Sequence, residues 1–239
     1  MMMRTLQTLR TLLGSADSIH PPRPSNTPEA DATFLMLDRI ATAFIQPVVT
    51  TAAIRLARSG LRANQITVAG FLIGLMAAVA IAFEHTLWGL VLILLSRSCD
   101  ALDGAVARLT KASDAGGFLD ITLDFLFYAS IPLAFAVSNP LQNALPAAVL
   151  LAAFMGTGSS FLAFAVMAAK RSMTSVAYPN KSLYFLGGLT EATETLICLC
   201  AMCLLPQYFP ELAYTFAALC ALTIAMRIRW GLRAFSETE

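Results

Sequence analysis

The sequence predicts an all-α polytopic membrane protein, six transmembrane helices preceded by an amphipathic surface helix. Three observations carry that prediction. The 239 residues are 57% hydrophobic and only 13% charged, about half the charged fraction usual in soluble domains, and the mean hydropathy is +0.69. Six apolar stretches are each long enough to cross a hydrocarbon layer. The lysines and arginines between them fall on alternate connections, the asymmetry that orients helical membrane proteins. No nucleic-acid partner is expected of a chain with a net charge of +1 and no basic stripe. Cys99, Cys198, Cys200, Cys203 and Cys220 all lie in apolar stretches. They read as small buried hydrophobes, without a disulfide framework or a metal site.

Three regions follow in order. Residues 1–31 form a disordered or amphipathic N-terminal tail. Arg4 and Arg10 with helically spaced leucines suit a short surface helix or targeting peptide, and Pro21, Pro22, Pro24 and Pro28 break up the polar run behind them. Residues 32–62 form a juxtamembrane surface helix, because Asp38, Arg39, Arg55 and Arg58 make the segment too charged to span. Residues 63–235 form the six-helix transmembrane domain, with spans at about 65–84, 87–108, 117–137, 144–168, 186–205 and 212–230. Asn139 and Pro140 mark a turn between the third and fourth. Gly70 and Gly74 make a small-xxx-small pair suited to helix packing, and Trp88 and Trp230 sit where interface anchors belong.

Six spans return the chain to the side it started from. The connections on that side, about 109–116 and 169–185, carry Lys111, Lys170, Arg171 and Lys181. Arg55, Arg58 and Arg62 precede the first span, and Arg227, Arg229 and Arg233 close the last. The opposite connections, near residues 85, 140 and 208, contain no Lys or Arg. Positive residues stay inside, so both termini are expected in the cytoplasm.

The chemistry concentrates between Arg97 and Asp124. Four of the fifteen acidic residues, Asp100, Asp103, Asp120 and Asp124, lie there at spacings of three and four. Such spacings put each pair on one helix face. A short turn between the helices brings the two pairs face to face, at shallow depth on the cytoplasmic side. Carboxylates at membrane depth cost several kcal/mol without a cation or a wet cavity, on the order of the penalties for intramembrane charge. A divalent ion, Mg²⁺ or Mn²⁺, is the compensator suited to oxygen ligands. Gly104, Ala105 and Ala107 leave room for a bulky ligand near the backbone, and Gly116 and Gly117 free the turn. Arg108 is suited to a phosphate. Together these features suggest a metal clamp on a pyrophosphate, the apparatus of phosphoryl-type transfer.

The eight residues Asp100, Asp103, Gly104, Ala107, Arg108, Gly116, Asp120 and Asp124 resemble the motif of the CDP-alcohol phosphotransferases, also called CDP-alcohol phosphatidyltransferases. That motif reads D-x2-D-G-x2-A-R-x8-G-x3-D-x3-D. The match is complete in residue type, with one residue fewer between Arg108 and Gly116. The resemblance implies six membrane helices behind a surface helix, a site at the cytoplasmic face and a frequent homodimer. It implies a transferase that moves a phosphatidyl or phospho-alcohol group from a CDP-alcohol, chiefly CDP-diacylglycerol, to a hydroxyl acceptor with release of CMP. It implies two Mg²⁺ or Mn²⁺ ions, with Asp100 and Asp120 bridging both. Asp103 would complete the first metal site, and Asp124 would ligate the second and act as general base. Gly104, Ala107, Arg108 and Gly116 would bind the donor, with Ser113 beside them. Asn64 and Thr67 match an Asn-x-x-Thr near the nucleotide, Asn64 having a helix cap as its alternative role.

Lys170, Arg171 and Lys181 are candidates to hold a phosphorylated acceptor, against orientation by charge alone. Glu191 and Glu194 are candidates to line the acceptor pocket, against a structural ion pair with Arg97 or Lys181. Arg97 itself is placed to neutralise Asp100. Two other functions compete. A transporter would use the aspartates as a cation or proton site, yet leaves Gly104, Ala107, Arg108 and Gly116 unexplained and expects internal repeats. A silent membrane scaffold would not need all four acids. The acceptor itself is open: glycerol phosphate, inositol phosphate, serine or a second lipid.

Overall fold

The computed structural model describes residues 48–171, 190 and 192–236. The 1–31 tail, residues 32–47 of the expected surface helix, Lys181 and Glu191 lie outside the described residues. Among the described residues all regular structure is helical. Helix α1 covers residues 48–58. It is followed by α2 (Ala63–Ala82), α3 (Thr86–Leu109), α4 (Asp114–Ser138), α5 (Pro140–Lys170), α6 (Ala192–Leu204) and α7 (Phe209–Ser236). A 3-10 turn, Pro206–Tyr208, leads into α7.

Local chemistry sets the boundaries. Gly60 ends α1 at φ 82°, and the Leu61 and Gly60 amides bond back to the Leu56 and Ala57 carbonyls at 3.3 and 3.2 Å. This is the Schellman closure, which glycine makes without strain. The Gln65 Oε1 accepts from the Arg62 amide at 2.9 Å at the start of α2. That leaves Asn64 inside the helix, not capping it. Pro140 opens α5 at a position where its missing N–H costs nothing, and Asn143 Nδ2 donates to the Phe135 carbonyl at 3.0 Å to tie α5 to the end of α4.

α2 packs on both α3 and α4; α5 packs on α4 and α7, while α6 touches α3 and α7. The outward faces stay apolar, with Leu72, Met76, Val79, Val91 and Leu95 exposed, as suits contact with lipid. Since lipid tails are as apolar as leucine, close packing must hold such helices together. Gly74 supplies it: a Cβ there would meet the Phe127 ring at 2.5 Å, and one on Gly70 would meet the Cys99 Cβ at 2.8 Å. The small-xxx-small expectation therefore holds. The main core, including Ile81, Ile93, Phe127, Phe135 and Phe209, fills the half of the bundle away from α1. At the other end α1 packs Ala53 with Ile66, Ala105 and Val106.

Four segments are long and apolar enough to cross a membrane: α2, α4, α5 and Pro206–Ser236. The length and apolarity expected of six spans are thus found in four. α3 has the length, 24 residues, but carries Arg97, Asp100, Asp103 and Arg108. α6 is a shorter apolar helix of 13 described residues.

Candidate active site

The acidic cluster is built where α3 ends and α4 begins. Asp103, Asp120 and Asp124 are buried, and Asp100 is half-buried. Asp100, Asp103 and Asp120 each bring a carboxylate oxygen within 4.8 Å of the others. Asp124 is engaged differently. Its Oδ1 accepts from Arg97 Nη1 at 2.8 Å, while its Oδ2 is buried and makes no hydrogen bond. Arg97 stands 4.0 Å from Asp100 Oδ1, so its nearer partner is Asp124 and not the expected Asp100. Its guanidinium lies 4.0 Å over the Phe127 ring. It also donates to Ser96 Oγ at 3.3 Å, and Ser96 donates to the Gly70 carbonyl at 2.7 Å. The close approach of α2 to α3 therefore fixes the arginine, and the arginine fixes Asp124.

The donor set fits a hard divalent cation. The three converging side chains supply only carboxylate oxygens, and Mg²⁺ ligated at about 2.1 Å needs oxygens in such a set to close in by small rotations. Asp124 follows Asp120 by one helical turn, and its Oδ2 is buried without a hydrogen bond.

Gly104 is buried behind Asp103, Ala107 is half-buried, and Arg108 is exposed in the last turn of α3. Ser113 caps α4, its Oγ accepting from the Gly116 amide at 3.2 Å. A Cβ on Gly116 would meet Asn64 Oδ1 at 2.8 Å. Asn64, Ser113 and Gly116 are thus brought together from two helix starts. Thr67 Oγ1 donates to its own helix, at the Ala63 carbonyl, 3.0 Å away. Lys170 and Arg171 are exposed at the end of α5, with Arg171 over the Phe235 ring at 5.3 Å. Glu194 sits half-buried in the first turn of α6.

One feature went unread in the sequence. A cavity of about 510 Å³ lies among α4, α5, α6 and α7, with Asp124 on one wall and Arg227 on another. Arg227 is buried and donates from Nη1 to the Thr157 carbonyl at 3.0 Å. The sequence treats Arg227 as a topology charge. Its place inside a predicted span was the signal that it faces protein or a ligand.

Residues 61–229 match the CDP-alcohol phosphatidyltransferase family. The chain is 48% identical over 196 residues to the inner membrane protein YnjF of Escherichia coli, covering 82% of this chain and 95% of that one. It is 38% identical over 105 residues to archaetidylinositol phosphate synthase of Pyrococcus horikoshii, covering 44% of this chain and 55% of that protein. In fold it is similar to the crystal structure of Mycobacterium tuberculosis phosphatidylinositol phosphate synthase with CDP-DAG bound. There the TM-score is 0.58 at 19% identity, over 77% of this chain and 92% of the other. None of these similarities supports a transporter.

Proposed function

The chain belongs to the CDP-alcohol phosphatidyltransferase family, and from that premise we propose that it transfers a phosphatidyl group from CDP-diacylglycerol to a hydroxyl acceptor and releases CMP. It is an integral, multi-pass membrane transferase of phospholipid biosynthesis. The observation that carries the finer reading is the convergence of Asp100, Asp103 and Asp120 beside an Asp124 oxygen that is buried and makes no hydrogen bond.

Asp124 takes the proton of the acceptor hydroxyl on Oδ2, while Arg97 holds Oδ1 and sets the rotation of the carboxylate. The acceptor oxygen bonds to the phosphorus nearer the lipid. The bond from that phosphorus to CMP breaks, and CMP keeps the electron pair. Gly104 leaves space for the donor's pyrophosphate, and Arg108 pairs with it. Asn64, Ser113 and Gly116 form the nucleotide side. Asp100, Asp103, Asp120 and Asp124 would hold the divalent ions, Mg²⁺ or Mn²⁺. Bound ions would neutralise charge on the transferring phosphoryl group. Six spans, with α3 and α6 as the second and fifth, and a cytoplasmic site complete the proposal. They are supported by the one-sided distribution of Lys and Arg.

The test is CMP release from CDP-diacylglycerol by purified protein supplied with a mixture of soluble and lipid alcohols. Release is expected with Mg²⁺ or Mn²⁺ and is lost with EDTA. Release that persists undiminished in EDTA would remove the metal from the proposal, and none under any condition would remove the transferase.

A further inference from the structure

The cavity beside Asp124 carries information about the acceptor, given the transferase reading above. Asp124 lines it and brings a carboxylate oxygen that makes no hydrogen bond. A hydroxyl that comes to Asp124 from this space meets the walls of the cavity. The walls of the cavity therefore select the molecule that carries the hydroxyl.

Those walls suit hydrocarbon. Phe125, Leu151, Phe154, Met155, Phe161 and Leu162 are large apolar side chains of its α4 and α5 walls. Several wall hydroxyls already donate within the protein. Thr157 gives its proton to the Phe154 carbonyl at 3.0 Å, Ser159 to the Gly156 carbonyl at 3.2 Å, and Thr190 to Thr223 at 3.0 Å. Asp124 and Arg227 are the charged side chains among the described lining residues. A polyol phosphate or a zwitterionic amino acid would lose its water here and find few replacements, at about 1–3 kcal/mol for each polar group left unpaired. A hydrocarbon chain loses nothing. The volume, about 510 Å³, lies within the roughly 300–1,000 Å³ of ordinary ligand pockets.

We infer that the acceptor is a lipid alcohol whose hydrocarbon portion occupies the cavity, with its hydroxyl at Asp124. The protein in phosphatidylcholine nanodiscs, with Mg²⁺ and CDP-diacylglycerol, would be given phosphatidylglycerol or diacylglycerol in one arm. Glycerol 3-phosphate, inositol phosphate or serine would be given in the other. CMP release at least tenfold faster with the lipid alcohols is expected. Faster release with a soluble acceptor overturns the inference and leaves the transferase intact; no release with either class removes the transferase and the inference with it. Leu151→Trp, which fills the cavity, should raise the KM for the lipid alcohol about tenfold and leave the KM for CDP-diacylglycerol within twofold. A rise in the donor's KM instead assigns the cavity to the donor's chain and overturns the inference. Retained binding of CDP-diacylglycerol shows that the variant is folded.

Discussion

Asp124 is the residue on which two demands meet. As a buried carboxylate it needs a counter-charge, and Arg97 gives one at 2.8 Å. As a base it needs an oxygen that no hydrogen bond already holds, and Oδ2 is that oxygen. Asp124→Asn separates the demands. The amide oxygen still accepts from Arg97, so the geometry survives. Its lost charge loosens the hold on Arg97 but relieves repulsion from the neighbouring carboxylates, two opposing effects. The melting temperature is therefore expected to shift little, while CMP release falls by roughly 10²–10⁴, the usual worth of a positioned base. Activity within tenfold of the parent would move the base elsewhere. The acids themselves were legible, because spacings of three and four specify a shared face. The Arg97 partner was not. Asp100 is three residues away and Asp124 is 27, and only the way α3 and α4 both pack against α2 decides between them.

At the scale of the element, α2 and α3 do the positioning through small residues. Gly74 admits the Phe127 ring and the Ser96 hydroxyl, which a Cβ would meet at 2.5 and 3.0 Å. Phe127 carries the Arg97 guanidinium, and Ser96 is bonded to it. Gly74→Val pushes on both supports. Overpacking of this kind costs about 1–3 kcal/mol, so a lower melting temperature and a several-fold loss of CMP release are expected together. Gly231→Ala is the contrast: its Cβ would meet its nearest neighbour, Phe164, at an ordinary 3.6 Å, and alanine favours the helix by up to about 1 kcal/mol. Equal effects from the two variants would show that α2 packing does not set the site. Turn residues and apolar length made these helices readable. Their ends were less so: α5 starts at Pro140, before the expected 144, and α7 continues to Ser236, past 230. A proline at the first helical position and basic residues beyond the lipid both extend a helix where hydropathy has stopped reporting it. The contact of Arg227 with Thr157 crosses 70 residues, and nothing local in either stretch announces it.

For the whole molecule, the arrangement separates a packed apolar half from an acidic half. The basic residues gather at the acidic end. Arg55, Arg58 and Arg62 flank the start of α2, Lys111 follows α3, Lys170 and Arg171 close α5, and Arg229 and Arg233 close α7. The turns at the other end, around Glu84, Asn139 and Gln207, carry no Lys or Arg. Basic flanks are retained on the cytoplasmic face, so the acidic end should meet the cytoplasm, where a water-soluble nucleotide headgroup is available. This orientation is open to a direct check. In a chain whose five cysteines are replaced, Gln142→Cys, exposed in the first turn of α5, should react with an impermeant maleimide in intact cells. Lys111→Cys, exposed beside the acidic cluster, should react only after the membrane is permeabilised. The reverse pattern would put the carboxylates on the outer face, away from cytoplasmic nucleotide, and the proposed donor would then have no route to them.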